Sequence, residues 1–321
     1  MNKRTLGISN IKVSEIGLGC MGMTHAYGKQ RNKIDMITLI QKAIQLGCNF
    51  FDTAVVYGQD NEKYLGEALT EHRKDVVIAT KYGITGQSHD KKQPINKLDS
   101  RPETIKKQLN ESLERLNTDY IDLYYQHRVD PKVKPETVAN IMQEFIDDGL
   151  IRAWGLSNAP IEYLRKAHET CPISAIENQY SMLYRSQEKE LFQLCEELNL
   201  AFVAYSPLGN GFLTGKYDNN TEYDKDDFRN TMARFSDKTV KNNQKLLEII
   251  KELAQQKECT MAQIVLSWEL TQKPFIIPIP GSTNRNRLEE NINSTNIKLS
   301  KNEMEEINTT LSRINVDESF F

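Results

Sequence analysis

Four residues of the chain form a possible acid–base set, namely Asp52, Tyr57, Lys81 and His127. A free phenol has a pKa of about 10, which is too high for easy proton donation at neutral pH. A nearby lysine ammonium stabilises the phenolate and so lowers that pKa, and an aspartate beside the lysine keeps the lysine charged. A neutral histidine that donates a hydrogen bond could position a carbonyl oxygen. We therefore expect Tyr57 to protonate a carbonyl oxygen as a hydride arrives at the carbon.

A second group of residues has the chemistry to hold the source of that hydride. No side chain supplies a hydride, so the acid–base set implies a nicotinamide cofactor. Ser157, Asn158 and Gln179 carry the donors and acceptors that bind a carboxamide, and Tyr205 offers a flat face to a nicotinamide ring. We therefore expect a cofactor site beside the acid–base set.

Short apolar runs precede most of these polar residues along the chain. Continuous apolar character is typical of parallel strands that are buried on both faces. Eight strands are predicted, at residues 16–18, 50–51, 76–79, 121–125, 151–155, 175–176, 201–205 and 275–279. Because the polar residues follow the carboxyl ends of these strands, they are expected to meet at one edge of the sheet.

Amphipathic segments alternate with the strands. The predicted helices cover residues 35–47, 60–70, 102–116, 136–148, 160–168, 187–198, 243–256, 261–271 and 284–293. This order predicts an α/β protein with a closed (β/α)8 TIM barrel, whose active site lies at the carboxyl ends of the strands. An open doubly wound sheet is the alternative. No Pro/Gly/Ser-rich linker interrupts the units, which favours one barrel domain over residues 1–321.

Several shorter features complete the predicted fold. Residues 4–6 and 12–14 are expected to form an N-terminal β-hairpin, and extra helices are expected near the C-terminus. Thr260 is a suitable N-cap for the helix that follows it, and Pro102 suits the first turn of another. Residues 209–239 are rich in Asp, Asn, Lys and Gly and lack regular periodicity. A long loop of this kind is usually functional or disordered, and we expect it to move over the cofactor.

A glycine-rich motif near the N-terminus resembles a dinucleotide-binding fingerprint. Gly17, Gly19 and Gly22 fit the spacing G-x-G-x-x-G after a strand. A Rossmann site needs a helix to begin at the motif, and helical periodicity resumes only near Ile34. The nearest suitable acidic residue, Asp52, also comes later than the fingerprint requires. We therefore interpret the motif as a tight loop at the end of the first strand.

The composition restricts the compartment and the partners. The 321 residues contain 41 basic and 44 acidic side chains and carry a net charge of −3, which gives no sign of a nucleic-acid or membrane-surface protein. The longest apolar runs are too short to span a membrane, and no apolar signal core follows Met1. Five cysteines and five histidines show no metal-ligand spacing. We therefore expect a cytoplasmic protein without a metal site.

Ordered motifs along nearly the whole chain closely resemble the aldo-keto reductase superfamily. They are Asp52-Thr53-Ala54-Val55-Val56-Tyr57-Gly58, Thr80-Lys81, Leu123-Tyr124-Tyr125-Gln126-His127, Gly155-Leu156-Ser157-Asn158, Asn178-Gln179-Tyr180, Tyr205-Ser206-Pro207-Leu208, Gly211-Phe212-Leu213-Thr214-Gly215-Lys216 and Ile279-Pro280-Gly281-Ser282. The resemblance implies that Tyr57 is the general acid, that Lys81 tunes it, that Asp52 pairs with Lys81, and that His127 orients the carbonyl. It implies an NADPH-dependent oxidoreductase that reduces aldehydes or ketones.

The resemblance also implies where the cofactor lies. The nicotinamide end would meet Gly19, Cys20, Met21 and Asp52, with Ser157, Asn158 and Gln179 on the carboxamide and Tyr205 on the ring. The pyrophosphate would follow Ser206, Pro207, Leu208, Gly209, Gly211 and Lys216. The adenine and the 2′-phosphate would be surrounded by Gly281, Ser282, Thr283, Arg287, Glu290 and Asn291.

One departure and two other activities remain open at this point. Many relatives have Arg or Lys where this chain has Thr283, which removes one partner of the 2′-phosphate. Arg287 could instead belong to a solvated helix face, paired with a neighbouring glutamate. A Schiff-base aldolase would use Lys81 as its amine nucleophile. A regulatory subunit would keep the cofactor site and turn over slowly.

Overall fold

The strands and helices follow one another in a regular order. The computed structural model of the protein describes residues 1–90, 93–217, 221–314 and 316–318. The strands within these ranges are β1 (Lys3–Thr5), β2 (Lys12–Ser14), β3 (Leu18–Gly19), β4 (Phe50–Asp52), β5 (Val77–Tyr82), β6 (Ile84–Asp90), β7 (Gln93–Leu98), β8 (Ile121–Gln126), β9 (Ile151–Ser157), β10 (Ala175–Gln179), β11 (Ala201–Tyr205) and β12 (Ile276–Pro278). The α-helices are α1 (Lys33–Gln45), α2 (Gln59–Leu69), α3 (Pro102–Leu116), α4 (Pro135–Asp147), α5 (Ile161–Thr170), α6 (Leu191–Leu198), α7 (Asp237–Asn242), α8 (Gln244–Gln256), α9 (Met261–Gln272), α10 (Arg285–Asn293) and α11 (Lys301–Arg313).

Eight parallel strands form the central barrel in the order β3, β4, β5, β8, β9, β10, β11 and β12. The first and last strands meet, because the Gly17 amide donates to the Pro278 carbonyl at 2.9 Å and Gly19 pairs in parallel with Gly281. A Cβ atom at Gly19 would lie 2.8 Å from the Ile279 carbonyl oxygen, so the seam requires glycine there. The predicted (β/α)8 barrel is confirmed, and the closed seam excludes the open doubly wound sheet.

The barrel interior changes from apolar to polar along the strands. Successive side chains of a strand point to opposite faces, so every second residue faces inward. The apolar interior consists of Phe50, Val77, Ala79, Leu123, Tyr125, Ala153, Ala175, Ala201, Val203, Ile277 and Ile279, together with Leu6, Ile11 and Val13 from the hairpin segment. Two residues beyond Phe50 and Ala79 the same faces carry Asp52 and Lys81. This alternation places charged groups directly above a dry core.

The helices begin where local chemistry favours them. Pro102 is the first residue of α3, a position at which the missing amide hydrogen costs no helical hydrogen bond. The Thr260 hydroxyl caps α9 by accepting from the Gln263 amide, and Gln263 Oε1 accepts from the Thr260 amide. Ser300 and Glu303 form the same arrangement at α11, one of the helices near the C-terminus that the sequence predicted. The N-terminal hairpin pairs β1 with β2 as predicted.

Several elements differ from the predictions. β6 and β7 form an antiparallel hairpin that the sequence did not reveal, because its strands lie outside the barrel and have exposed residues such as Thr85. β10 continues to Gln179, well past the two residues predicted for that strand. Residues 218–220 of the predicted segment 209–239 lie outside the described ranges. The rest of the segment contains 3₁₀ turns at Gly209–Thr214, Phe228–Thr231 and Ala233–Phe235. Short turns held by local hydrogen bonds have no hydrophobic periodicity in the sequence, so the sequence did not predict them.

No helix in the described ranges has the length and apolar character that crossing a bilayer requires.

Candidate active site

The carboxyl ends of the barrel strands open into a cleft of about 950 Å³. The predicted site residues that line it are Gly19, Met21, Asp52, Tyr57, His127, Ser157, Asn158, Gln179, Tyr205, Ser206, Pro207, Leu208, Gly211, Lys216, Gly281, Ser282, Thr283, Arg287, Glu290 and Asn291. Three predicted residues are not among the lining residues. Lys81 is buried below the cleft, Gly209 is buried, and the buried Cys20 thiol faces the Leu18 carbonyl at 3.6 Å.

Lys81 is the centre of a buried charge cluster. Its Nζ lies 2.5 Å from Asp52 Oδ1 and 3.3 Å from Glu177 Oε1, and it donates to the Thr53 carbonyl at 3.0 Å. Burial by itself lowers the pKa of Lys81, but the Asp52 and Glu177 carboxylates outweigh it and raise that pKa above its ordinary value. The lysine is therefore a charged ammonium.

Glu177 is a member of this cluster that the sequence analysis missed. Its side chain is 3% exposed and lies on the inward face of β10, two residues beyond Ala175. Burial and the neighbouring Asp52 carboxylate raise the pKa of Glu177, and Lys81 opposes them. Counting every second residue from the apolar Ala175 would have found it, had the strand been predicted to continue past residue 176.

Tyr57 lies above Lys81, between two histidines. It ends the 3₁₀ turn Val55–Tyr57 that follows β4, and its ring centre is 5.4 Å from Lys81 Nζ. The His25 ring stacks at 5.8 Å and the His127 ring meets Tyr57 edge-on at 6.0 Å, measured between ring centres. The structure thus brings together all four residues of the predicted acid–base set.

The acidity of Tyr57 reflects two opposing effects. Burial raises the pKa of the phenol above its ordinary value, and the Lys81 ammonium acts in the lowering direction that the sequence analysis expected. Burial is the larger effect, and the Asp52 and Glu177 carboxylates raise the pKa of Tyr57 further. The resting phenol is protonated, as a proton donor must be.

His127 follows β8 and carries no charge at neutral pH. Burial lowers the pKa of its imidazole well below the usual value, and the Lys81 and Arg128 charges add to that effect. The strand fixes its backbone, since the His127 amide donates to the Tyr82 carbonyl at 2.9 Å. A neutral imidazole beside Tyr57 can donate one hydrogen bond to a carbonyl oxygen.

The residues predicted to bind a carboxamide line the cleft wall beside the Lys81 charge cluster. Asn158 adopts a positive φ of 53°, donates to Ser157 Oγ at 2.7 Å and accepts from the Tyr205 hydroxyl at 3.0 Å. Gln179 Nε2 is buried and has no acceptor among the described residues. A buried donor without an acceptor is costly, so this amide suits a polar ligand group in the cleft.

At the other end of the cleft, side chains of the segment after β11 contact side chains of α10. Lys216 Nζ lies 3.3 Å from Glu290 Oε2, and Arg287 Nη1 donates to the Tyr217 hydroxyl at 2.8 Å. Asn284 caps α10 by accepting from the Arg287 amide. Within the described ranges no carboxylate pairs with Arg287, since Glu289 pairs with Lys42 and Arg285 instead. The guanidinium is therefore available to an anion near the start of a helix.

The segment after β11 also contacts the loop that follows β3. The Phe228 amide donates to the Ala26 carbonyl at 2.8 Å, and Asn210 Nδ2 donates to the Tyr27 hydroxyl at 2.8 Å. Arg229 lies over the Tyr217 ring, 4.7 Å from its centre. Sequence reasoning missed Tyr217 and Arg229, because no motif or strand end marks them. These contacts place part of residues 209–239 beside the cleft.

Comparisons with known proteins agree with this architecture. The sequence model of the aldo/keto reductase family matches residues 15–311. The chain is 37% identical over 304 residues to a probable aldo-keto reductase 1 of Glycine max, covering 94% of this chain and 86% of that protein. It is 37% identical over 313 residues to an aldo-keto reductase of Strobilurus tenacellus, covering 94% and 89%. A glycerol dehydrogenase of Gluconobacter oxydans has a similar structure, with a TM-score of 0.87, 28% identity and coverage of 98% and 96%.

Proposed function

The chain belongs to the aldo/keto reductase family, and on that premise we propose that it reduces aldehydes or ketones to alcohols with NADPH, with Tyr57 as the general acid. The observation that carries the proposal is the Lys81 ammonium, bound to Asp52 at 2.5 Å and 5.4 Å from the centre of the Tyr57 ring. A fixed cation below a phenol stabilises the phenolate that forms as the proton leaves. The reaction class, carbonyl oxidoreduction on small molecules, is that of the family.

The proposed chemistry divides between three side chains. Neutral His127 donates a hydrogen bond to the substrate carbonyl oxygen and orients it towards the Tyr57 hydroxyl. Tyr57 then transfers its proton to that oxygen, and the Lys81 ammonium balances the negative charge left on the phenol oxygen. Buried groups stabilise this charge more strongly than water would, because the surrounding dielectric is low.

NADPH would supply the hydride, which no side chain can. Its fit is supported by the unpartnered Gln179 amide at one end of the cleft. At the other end, the Arg287 guanidinium donates to Tyr217 and pairs with no carboxylate in the described ranges. The residues that would hold it are Gly19, Met21, Ser157, Asn158, Gln179 and Tyr205 at the nicotinamide end, Ser206, Pro207, Leu208, Gly211 and Lys216 along the pyrophosphate, and Gly281, Ser282, Thr283, Arg287, Glu290 and Asn291 at the adenosine end. The proposed compartment is the cytoplasm.

The charge state of Lys81 disfavours the Schiff-base aldolase. An amine attacks a carbonyl only in its neutral form, whereas Asp52 and Glu177 raise the pKa of Lys81. Borohydride treatment with a carbonyl substrate would trap a secondary amine on Lys81 if the protein were such an aldolase. We expect no trapped adduct.

The test is a panel of aldehydes and ketones assayed by the loss of NADPH absorbance. We expect turnover with at least one carbonyl compound and a matching alcohol product. Turnover also separates the reductase from a regulatory subunit, which would bind NADPH and consume little of it. Tight NADPH binding without product across the panel would support the regulatory subunit and contradict the reductase.

A further inference from the structure

We propose that Glu177 is a positioning residue, which shares one proton with Asp52 and so keeps the Lys81 ammonium available to Tyr57. The inference concerns a residue outside the acid–base set described above. Its kinetic part rests on the proposed role of Tyr57, whereas its structural part does not.

The contacts of the two carboxyl groups favour a shared proton. Asp52 Oδ1 and Glu177 Oε1 both face Lys81 Nζ, at 2.5 and 3.3 Å. Their second oxygens, Asp52 Oδ2 and Glu177 Oε2, are buried, and neither receives a hydrogen from any other described residue. Both carboxyl groups therefore meet on one ammonium, and each keeps a buried oxygen that no described group donates to. Two carboxylates in such contact repel, whereas one proton between them makes a hydrogen bond.

The charge balance gives the same result. Lys81, Asp52 and Glu177 are 1%, 2% and 3% exposed, so water solvates little of their charge. With both acids ionised the cluster would carry a buried net charge of about −1, which is costly in a low-dielectric interior. One proton on the carboxyl pair makes the cluster neutral.

The proton shared by Asp52 and Glu177 also determines how strongly Lys81 raises the acidity of Tyr57. When the pair is protonated, the ammonium is offset by a single carboxylate and stabilises a phenolate above it. When the pair loses its proton, a second anion competes for Lys81 and makes Tyr57 a weaker acid. The other titratable groups that interact with the cluster are Cys20 near Asp52, Tyr125 on β8, His127 near Lys81 and Tyr205 on β11. Burial keeps these four groups uncharged in the neutral range, so the carboxyl pair is the part of the cluster that changes charge there. His25 stacks on Tyr57 at 5.8 Å between ring centres and lies outside the cluster.

The first test is infrared spectroscopy of the protein without added cofactor. A protonated carboxyl group has a carbonyl stretching band that a carboxylate lacks. Glu269 is a matched control, because it is another fully buried glutamate with a raised pKa and does not line the cleft. At neutral pH we expect E269Q to remove one acid band and E177Q to remove a different one, which also disappears from the wild-type spectrum as pH rises. The proposal is overturned if E177Q removes only carboxylate bands.

The second test is the pH dependence of carbonyl reduction. The carboxamide of E177Q can still donate to Asp52 and accept from Lys81, so we expect its kcat at neutral pH to stay within about tenfold of wild type, the scale of one hydrogen bond. The fall in kcat on the alkaline side, due to loss of the shared proton, should be absent in E177Q and present in E269Q. E177A should lower kcat on the order of 10²-fold, because Lys81 loses a fixed partner and is misplaced.

The two tests separate this inference from the proposed function. Unchanged NADPH affinity in E177Q together with an altered pH profile would distinguish positioning from general damage to the fold. An alkaline fall that persists in E177Q would overturn the kinetic role. A wild-type protein that reduces no carbonyl compound would contradict the proposed function, and the infrared bands would still decide whether Glu177 and Asp52 share a proton.

Discussion

The Arg287 guanidinium donates to the Tyr217 hydroxyl at 2.8 Å and so joins α10 to the segment that follows β11. Arg229, from the same segment as Tyr217, lies 4.7 Å from the centre of the Tyr217 ring. Two guanidinium groups therefore approach one phenol at the end of the cleft that we assign to the adenosine 2′-phosphate. The Arg229 charge is already paired with Asp227 at 2.7 Å, which leaves Arg287 as the stronger candidate for a phosphate partner.

Arg287→Ala should weaken NADPH binding and leave NADH binding nearly unchanged. A charge-assisted hydrogen bond contributes roughly 1.5–3 kcal/mol, or about 10- to 150-fold in affinity. With Thr283 in place of a cation we expect the lower part of that range. Added salt should weaken NADPH binding more than NADH binding, since the guanidinium is exposed. Both cofactors would be titrated at two salt concentrations.

Arg285→Ala is the control for that experiment. Arg285 is on the same helix, pairs with Glu289 and does not line the cleft, so its loss should change neither affinity. Equal weakening of NADPH and NADH by Arg287→Ala would mean that Arg287 supports the fold or the adenine rather than the phosphate.

Tyr57→Phe should lower turnover by about 10²–10⁴-fold, the usual contribution of a general acid. NADPH affinity should be retained, because the variant removes only the hydroxyl. Tyr163→Phe is a matched control, since its hydroxyl donates to Gln126 at 3.0 Å and does not line the cleft. Steady-state kinetics and cofactor titration would measure both. Turnover close to wild type in Tyr57→Phe would end the assignment of Tyr57.

Residues 209–239 should be protected from proteolysis when NADPH binds. Lys216 and Tyr217 already contact α10, and Phe228 contacts the loop after β3. NADPH bound in the cleft would hold this segment closed. Opening of the segment could then limit release of the cofactor. Limited proteolysis with and without NADPH would be compared, with cleavage in α11 as the internal reference. Cleavage of residues 209–239 at the same rate in both conditions would contradict the closure.

Glu269→Gln should stabilise the protein increasingly as pH rises. Neither carboxyl oxygen of Glu269 has a partner among the described residues, and burial raises its pKa well above the usual value. The folded state therefore holds a proton that the unfolded state releases above about pH 4.3, so wild-type stability falls with rising pH. The glutamine side chain of the variant does not titrate. Between acid and alkaline pH, the Tm of the variant should therefore rise relative to that of wild type by a few °C, which corresponds to a change on the order of 1 kcal/mol or more in the relative free energy of unfolding.

The exposed Glu305→Gln provides the comparison for that measurement. Its Tm should follow wild type across the pH range, because an exposed carboxylate is solvated in both states. A constant offset between Glu269→Gln and wild type at every pH would show that Glu269 does not gain a proton on folding.

The strand ends that the sequence predicted and the strand length that it missed have different physical origins. The strand ends at Asp52 and Lys81 were readable, because apolar runs mark buried strands and polar residues interrupt them. β10 was predicted too short, since Glu177 and Asn178 end its apolar run although the strand continues to Gln179. Its inward residue Glu177 is tolerated in the barrel interior because Lys81, which is distant in sequence, meets it in space. The single domain over residues 1–321 and the individual cofactor contacts remain predictions.

The seam between the first and last barrel strands has a consequence for folding. The Gly17–Pro278 hydrogen bond and the Gly19–Gly281 pair join residues more than 250 positions apart, so β3 and β11 present open edges until the last strand has emerged from the ribosome. Open strand edges can pair with other chains, and contacts of such high sequence separation form slowly. Gly19 and Gly281 also line the cleft. A ligand held there would bind only the closed barrel, and it would therefore draw nascent chains towards closure by mass action.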